Sequence, residues 1–235
     1  PEEFRQSLAE QGLNLTDEQM QQFELYYEFL VETNKNLNLT AITEKNEVYL
    51  KHFYDSLLLA LTVKDLQTEE LSLCDVGAGA GFPSLPVKIA FPQLKITIVD
   101  SLNKRINYLN TVVRELGLKN VTTIHSRAED GARKPELREK FDVATSRAVA
   151  NMAVLSEYCM PYVKKDGYFV ALKGPSVDEE LKNATNAIKT LGGELKEIIE
   201  VSIEETDLKH NIVEVKKLNP CSKTYPRKAG TITKK

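Results

Sequence analysis

The 235-residue chain has no tryptophan and only three cysteines, three methionines and three histidines. Cys74, Cys159 and Cys221 are far apart and odd in number, which argues against a disulfide framework. His52, His125 and His210 are equally scattered, so no Cys/His spacing suggests zinc and no metal is expected. No apolar run approaches the ~20 residues of a membrane-spanning helix. The segment PEEFRQSLAEQ lacks the basic start and apolar middle of a signal peptide, so a cytoplasmic protein with no membrane partner is expected. Internal repeats and low-complexity stretches are absent too.

The length allows one α/β domain with a full core plus a short extension. Net charge is −3, but its distribution is uneven. Residues 1–60 hold eleven Asp/Glu against four Lys/Arg, whereas Lys216 to the end holds seven Lys/Arg and no acid. Such a tail either meets an anionic partner or is simply solvated.

Met20, Phe23, Tyr27 and Leu30 recur at helical spacing, and Thr16 with Gln19 forms a capping box, predicting an amphipathic helix over 17–31. NKNLNLTAIT (34–43) should break it, and a second helix is expected from about Thr43 to Leu61. Leu66 to Glu70 is the candidate linker, giving a helical extension over 1–65 and a main domain over 66–235. From Leu71 onward strand and helix alternate. Strands are expected at 71–76, 95–100, 120–124, 141–146, 167–172, 195–201 and 211–216, and helices at 83–90, 103–116, 151–160 and 178–191. That pattern predicts a mostly parallel, doubly covered seven-stranded sheet whose last two strands form an antiparallel edge pair. Ligands in such sheets bind at the carboxyl ends of the strands, where strand order reverses.

The sharpest signal is CDVGAGAGFPSLPVKIA: a strand ending at Asp75 and Val76, the glycines Gly77, Gly79 and Gly81, then a helix opening at Pro83. Bare glycines allow close approach of a ligand and a positive φ. Phe82 stands where the dinucleotide fingerprint wants its third glycine, and the Lys-Ser/Thr of a phosphate-binding P-loop is missing. A strand followed by this spacing resembles the cofactor motif of class I methyltransferases, which hold S-adenosylmethionine. Asp100 ends the second strand, where an acid can accept from ribose hydroxyls or merely cap the next helix. Ala128 and Glu129, in HSRAED, can read an adenine edge or begin a solvated helix. Arg147 follows the fourth strand, at the position facing the transferable methyl in this fold. It can contact the cofactor carboxylate, a target base or a phosphate, or form a surface ion pair. His52 and Asp55 share a helix face, as a catalytic dyad or, more plainly, as a polar contact or orienting pair. Cys221 follows a proline but lies after the last strand, which makes it a tail cysteine rather than a nucleophile.

The stretches NKNLNLTAIT, HFYDSL, DVGAGAGFPSLPVKI, VDSLNKRINYL, HSRAED, FDVATSRAVA, LKG and KTYPRKAG (34–43, 52–57, 75–89, 99–109, 125–130, 141–150, 172–174 and 223–230) resemble, in order and spacing, one family. It is the bacterial small-subunit ribosomal RNA guanine-N7 methyltransferases, the glucose-inhibited division protein B family (RsmG). The resemblance runs from about residue 34 to 232. It implies a Rossmann-like fold, S-adenosylmethionine as cofactor, and 16S ribosomal RNA or a small-subunit precursor as partner. Gly77, Phe82, Ala128, Glu129 and Arg147 would line the cofactor site, with Gly79, Gly81 and Asp100 completing it. Arg147 would position the reacting groups. Lys223, Tyr225, Arg227 and Lys228 would lie near the RNA, and the protein would act as a monomer. Two departures stand out: the family's common Gly near Ser84 and Ile near Leu85 are missing, and so is its Trp-Asn pairing near Thr33 and Asn34. Guanine N7 bears no proton, so no general base is expected. Rival readings are a methyltransferase for a small molecule or protein, a non-catalytic RNA-binding assembly factor, and an NAD-linked oxidoreductase.

Overall fold

The structure, a computed structural model, describes residues 1–147, 150–175, 177–202, 209–228 and 230–232. Ala148 and Val149 of SRAVA, Ala229 of YPRKAG, and the basic Lys234 and Lys235 lie outside the described residues.

In chain order the elements are α1 (Glu2–Glu10), α2 (Asp17–Asn34), α3 (Lys45–Val48), a π-helical turn (Tyr49–Tyr54), α4 (Asp55–Thr62), α5 (Asp65–Thr68), β1 (Ser72–Val76), α6 (Ser84–Ala90), β2 (Lys95–Asp100), α7 (Asn103–Glu115), β3 (Val121–His125), α8 (Ala128–Gly131), β4 (Phe141–Ser146), α9 (Met152–Cys159), a 3-10 turn (Met160–Tyr162), β5 (Val163–Lys173), α10 (Asp178–Thr190), β6 (Gly193–Ser202) and β7 (Lys209–Lys217). The seven strands form one sheet in the order β3-β2-β1-β4-β5-β7-β6. β1 to β5 pair in parallel, and β7 runs antiparallel to both β5 and β6. The reversed strand therefore sits one place in from the edge.

The Thr16 capping box forms as expected: Gln19 N donates to Thr16 Oγ1 and Thr16 N donates to Gln19 Oε1. The face of α2 that enters the core is Phe23, Tyr26 and Leu30, while Tyr27 and Met20 are only half-buried. The Gln19 amide also donates to Ile89 O and Ala90 O, and Gln22 donates to Leu116 O. Two glutamines of α2 thus cap the carbonyl ends of α6 and α7, where intrahelical donors run out.

Phe4, Phe23, Tyr26, Tyr49 and Phe53 are buried in one cluster with Phe82, Leu85 and Leu109. Burying each such side chain is worth about 1.5–3 kcal/mol. Exposed pairs such as Lys45–Glu24 are worth about 0–1 kcal/mol, so apolar burial decides how the extension attaches. Within the stretch expected as a linker, Leu66 is fully buried on α5 and its carbonyl accepts from Gln93. The expected helix over 43–61 is present as α3, the π turn and α4, and nothing in the sequence announced the π geometry.

Candidate functional site

Strand order reverses between β1 and β4, and a pocket of about 260 Å³ opens at the carboxyl ends of the strands there. Its lining includes Val76 and Gly77 after β1, Val99 and Asp100 of β2, Ala128 and Glu129 of α8, Ser146 of β4, and Leu155 and Tyr158 of α9. Gly77 and Gly79 have φ of +71° and +60°, and a Cβ at either would meet nothing within 4 Å. The backbone there is left-handed and faces open space, which is the cradle a close-lying ligand needs.

Asp100 is tied into that cradle. Its Oδ2 accepts from Gly79 N at 3.0 Å and its Oδ1 from Leu102 N at 3.0 Å, with Arg105 Nη1 at 3.6 Å. The carboxylate therefore shapes the glycine turn and holds the Leu102 backbone that leads into α7, and each oxygen retains a further lone pair for a ligand hydroxyl. Glu129 is buried and accepts from Arg127 Nε at 2.6 Å. Bare glycines, a buried carboxylate and apolar walls of Val76, Val99 and Leu155 fit a nucleoside with ribose hydroxyls and a flat base.

Gly79, Gly81, Phe82 and Arg147 fall outside the pocket lining. Gly81 has φ +103°, and a Cβ on it would lie 2.6 Å from Tyr26 Oη and 2.7 Å from Leu85 Cδ1. Its bareness serves close packing of the turn against α2 and α6. Phe82 is buried, its ring stacked on His52 at 4.6 Å, with the Arg147 guanidinium carbon 4.9 Å from its centroid. Arg147 donates to Lys51 O, Asp55 Oδ2 and His52 Nδ1 at 3.3, 3.2 and 2.9 Å. So Arg147 binds the extension rather than sitting as a surface ion pair. Burial, reinforced by Arg147 and Lys51, pushes His52 down to about 3, and its ring is neutral. Burial pushes the Asp55 carboxyl up, opposed by Arg147 and by His210, whose Nδ1 lies 3.4 Å from Asp55 Oδ1.

Sequence reasoning passed over Asp75 as an acid. It is fully buried, its Oδ2 accepts from Ser84 N at 3.0 Å, and Oδ1 finds no hydrogen-bond partner among the described residues. Burial raises it to about 7, against the hydrogen bonding from Ser84. It also passed over Arg133 and Arg138, which lie in a stretch that reads as a polar loop.

Those two arginines strap the tail down. Arg133 donates to the carbonyls of Thr224 and Pro226, and Arg138 to those of Ser222 and Tyr225. Arg227 forms a bidentate pair with Glu157 of α9, and its guanidinium lies 5.9 Å from the Tyr225 ring. Lys223 and Lys228 are exposed. Cys221 is buried, its thiol donating to Leu191 O, and burial pushes it up. Lys216 pairs with Tyr168 and Asn211 with Lys173, so β7 ends at the amino ends of the parallel strands, the opposite end of the sheet from the pocket. Cys221 lies beyond that end, as a tail cysteine would.

A pocket at the switch point of a seven-stranded β3-β2-β1-β4-β5-β7-β6 sheet, floored by a glycine turn, defines a class I S-adenosylmethionine-dependent methyltransferase. Residues 19–210 match the family model "GidB: rRNA small subunit methyltransferase G", and the chain belongs to that family. It is 68% identical over 235 residues to the ribosomal RNA small subunit methyltransferase G of Ligilactobacillus salivarius (strain UCC118), covering all of this chain and 98% of the relative. It is 58% identical over 224 residues to the enzyme of the same name from Clostridium botulinum (strain Eklund 17B / Type B), covering 95% and 93% of the two chains. In fold it is similar to M. jannaschii TYW2 in complex with AdoMet, with TM-score 0.53 and 15% identity over 69% of this chain and 75% of that one. Among the described residues no helix is long and apolar enough to cross a membrane, and no group of three His, Cys, Asp or Glu could hold a metal ion.

Proposed function

We propose that this chain transfers a methyl group from S-adenosylmethionine to N7 of a guanine in 16S ribosomal RNA, acting as a monomer in the cytoplasm. Residues 1–65 would form a helical platform for the methyltransferase domain of 66–235. The single observation that carries the reading is the glycine cradle of Gly77 beside the buried carboxylates of Asp100 and Glu129, with Ala128, in one pocket. Membership of a family of small-subunit ribosomal RNA methyltransferases supports the substrate.

When bound, the cofactor supplies an electrophilic methyl on a sulfonium. Gly77 and Gly79 would admit its amino-acid part, Asp100 its ribose, and Ala128 with Glu129 its base. Gly81 and Phe82 hold the turn in place from behind. Guanine N7 offers an in-plane lone pair and carries no proton, so the chain has no proton to remove. Its task is to hold the acceptor in line, which in well-oriented systems lowers a barrier by up to ~7–11 kcal/mol. Arg147, following β4, would orient the reacting groups. Lys223, Tyr225, Arg227 and Lys228 would face the RNA, with the lysines contacting phosphates and specificity coming from RNA shape and an unstacked base.

Calorimetry with the cofactor and mass mapping of ribosomal RNA from cells with and without the protein test the reading together. Binding, and loss of one methylated guanine, are expected. A folded protein that gives no heat with the cofactor, or an unchanged map, overturns it.

A further inference from the structure

The π-helical turn Tyr49–Tyr54, a geometry that sequence periodicity gave no reason to expect, lies against Arg147. In an unbroken α-helix the Lys51 carbonyl would accept the Asp55 N–H, four residues on. Here the Asp55 N–H is directed to His52 O and Leu50 O, three and five residues back, and Lys51 O accepts from Arg147 Nη1 at 3.3 Å. Asp55 Oδ2 takes a second bond from the same nitrogen, and His52 Nδ1 takes one from Nη2. Three acceptors within five residues thus converge on one guanidinium whose flank lies on the Phe82 ring. Such turns recur at functional sites.

The tautomer follows from the partners. Arginine only donates, so His52 Nδ1 must be the acceptor and the ring proton sits on Nε2. Nε2 lies 2.7 Å from Thr40 Oγ1, which also accepts from Ile42 N and is thereby fixed in the NKNLNLTAIT loop. Asp55 Oδ1 faces His210 of β7. His52 and Asp55 are both buried, so neither can swing away to water. The contacts use three of the five guanidinium donors and fix the plane of the rest. Ser146, the residue before Arg147, lines the pocket.

We infer that His52 of the π turn and Asp55, the first residue of α4 after it, are positioning residues that set the orientation of Arg147 for methyl transfer. This rests on the reading that Arg147 works beside the reacting groups. The extension is then part of the catalytic apparatus through one arginine, not only a packing partner.

Single-turnover methylation of small ribosomal subunits lacking the modification, at saturating labelled cofactor, tests it with the full chain. His52→Leu and Asp55→Asn are each expected to slow transfer about tenfold, with cofactor affinity changed less than about threefold. His52→Gln can accept from Arg147 and donate to Thr40, and keeps the rate within about threefold of wild type. In an Arg147→Gln background, His52→Leu costs less than about twofold, because its effect runs through the arginine. Should His52→Leu fail to fold, Thr40→Val replaces it, removing only the Nε2 partner, with a slowing of about threefold that is also absent in Arg147→Gln. Costs that add to Arg147→Gln, or a His52→Gln as slow as His52→Leu, overturn the inference alone. An Arg147→Gln enzyme at the wild-type rate overturns the reading of Arg147, and the inference with it.

Discussion

Tyr26 of α2 donates a buried hydrogen bond of 2.5 Å to the carbonyl of Ala80, inside the glycine turn. The same hydroxyl is the nearest atom to where a Cβ on Gly81 would stand, at 2.6 Å. One tyrosine of α2 therefore fixes both the shape and the clearance of the glycine turn. Tyr26→Phe leaves the Ala80 carbonyl unpaired at a cost of about 1–3 kcal/mol. A lower melting temperature and weaker cofactor binding are expected together, by thermal denaturation and calorimetry. Weaker binding without loss of stability would contradict the arrangement.

Gly77 and Gly81 should respond differently to alanine. At Gly77 the new methyl points into open space, and the positive φ adds roughly 1 kcal/mol of strain. Stability should fall little while cofactor affinity falls at least tenfold, because the methyl enters the pocket. At Gly81 the methyl strikes Tyr26 and Leu85, and stability should fall by about 1–3 kcal/mol. Denaturant titration and calorimetry on the two variants read both quantities.

Two buried groups give opposing pH dependences. His52 titrates at about 3 when folded against 6.5 unfolded, so between these values the unfolded chain binds the extra proton and stability falls as pH falls. Asp75 titrates at about 7 when folded against 3.8 unfolded, so over that window the folded chain holds the extra proton and stability falls as pH rises. Between about pH 4 and 6.5 the two contributions oppose each other. Asp75→Asn removes one of them, and its stability should drop more steeply than wild type on acidification from pH 6.5 to 4. Urea titrations at several pH values measure the slopes, and parallel slopes would contradict the assignment.

The tail separates into holding and reaching residues. The Arg227–Glu157 pair is well buried, with side-chain exposures of 20% and 6%. Glu157→Gln should cost about 2–3 kcal/mol in stability. Lys223→Glu and Lys228→Glu, at exposed positions, should leave stability within about 0.5 kcal/mol. Each should weaken RNA binding and reduce its salt slope by about one. RNA titrations across a salt series check the lysines, and unchanged slopes would detach the tail from the substrate.

The strand and helix pattern after Leu71 was legible because each element carries its own signal. Val/Ile-rich runs mark buried parallel strands, and β2 and β4 fall at the predicted residues. That Gly77, Asp100, Ala128 and Glu129 would be neighbours was legible because each ends or follows a strand that the same pattern places side by side, and they line one pocket. The roles of Gly81 and Phe82 were not, since a glycine facing a ligand and a glycine facing Tyr26 look alike in sequence. Nor was the pairing of Arg227 with Glu157, seventy residues apart in sequence.

By itself, then, the sequence determined the order of elements, the glycine turn and the family, because propensity, periodicity and short motifs are local properties of the chain. Only the tertiary structure decided that Arg147 meets the π turn, that Tyr26 supports the glycine turn, and that Arg133 and Arg138 hold the tail. Those contacts join segments whose partners are chosen by packing, where a donor finds whichever buried acceptor the fold brings within about 3 Å.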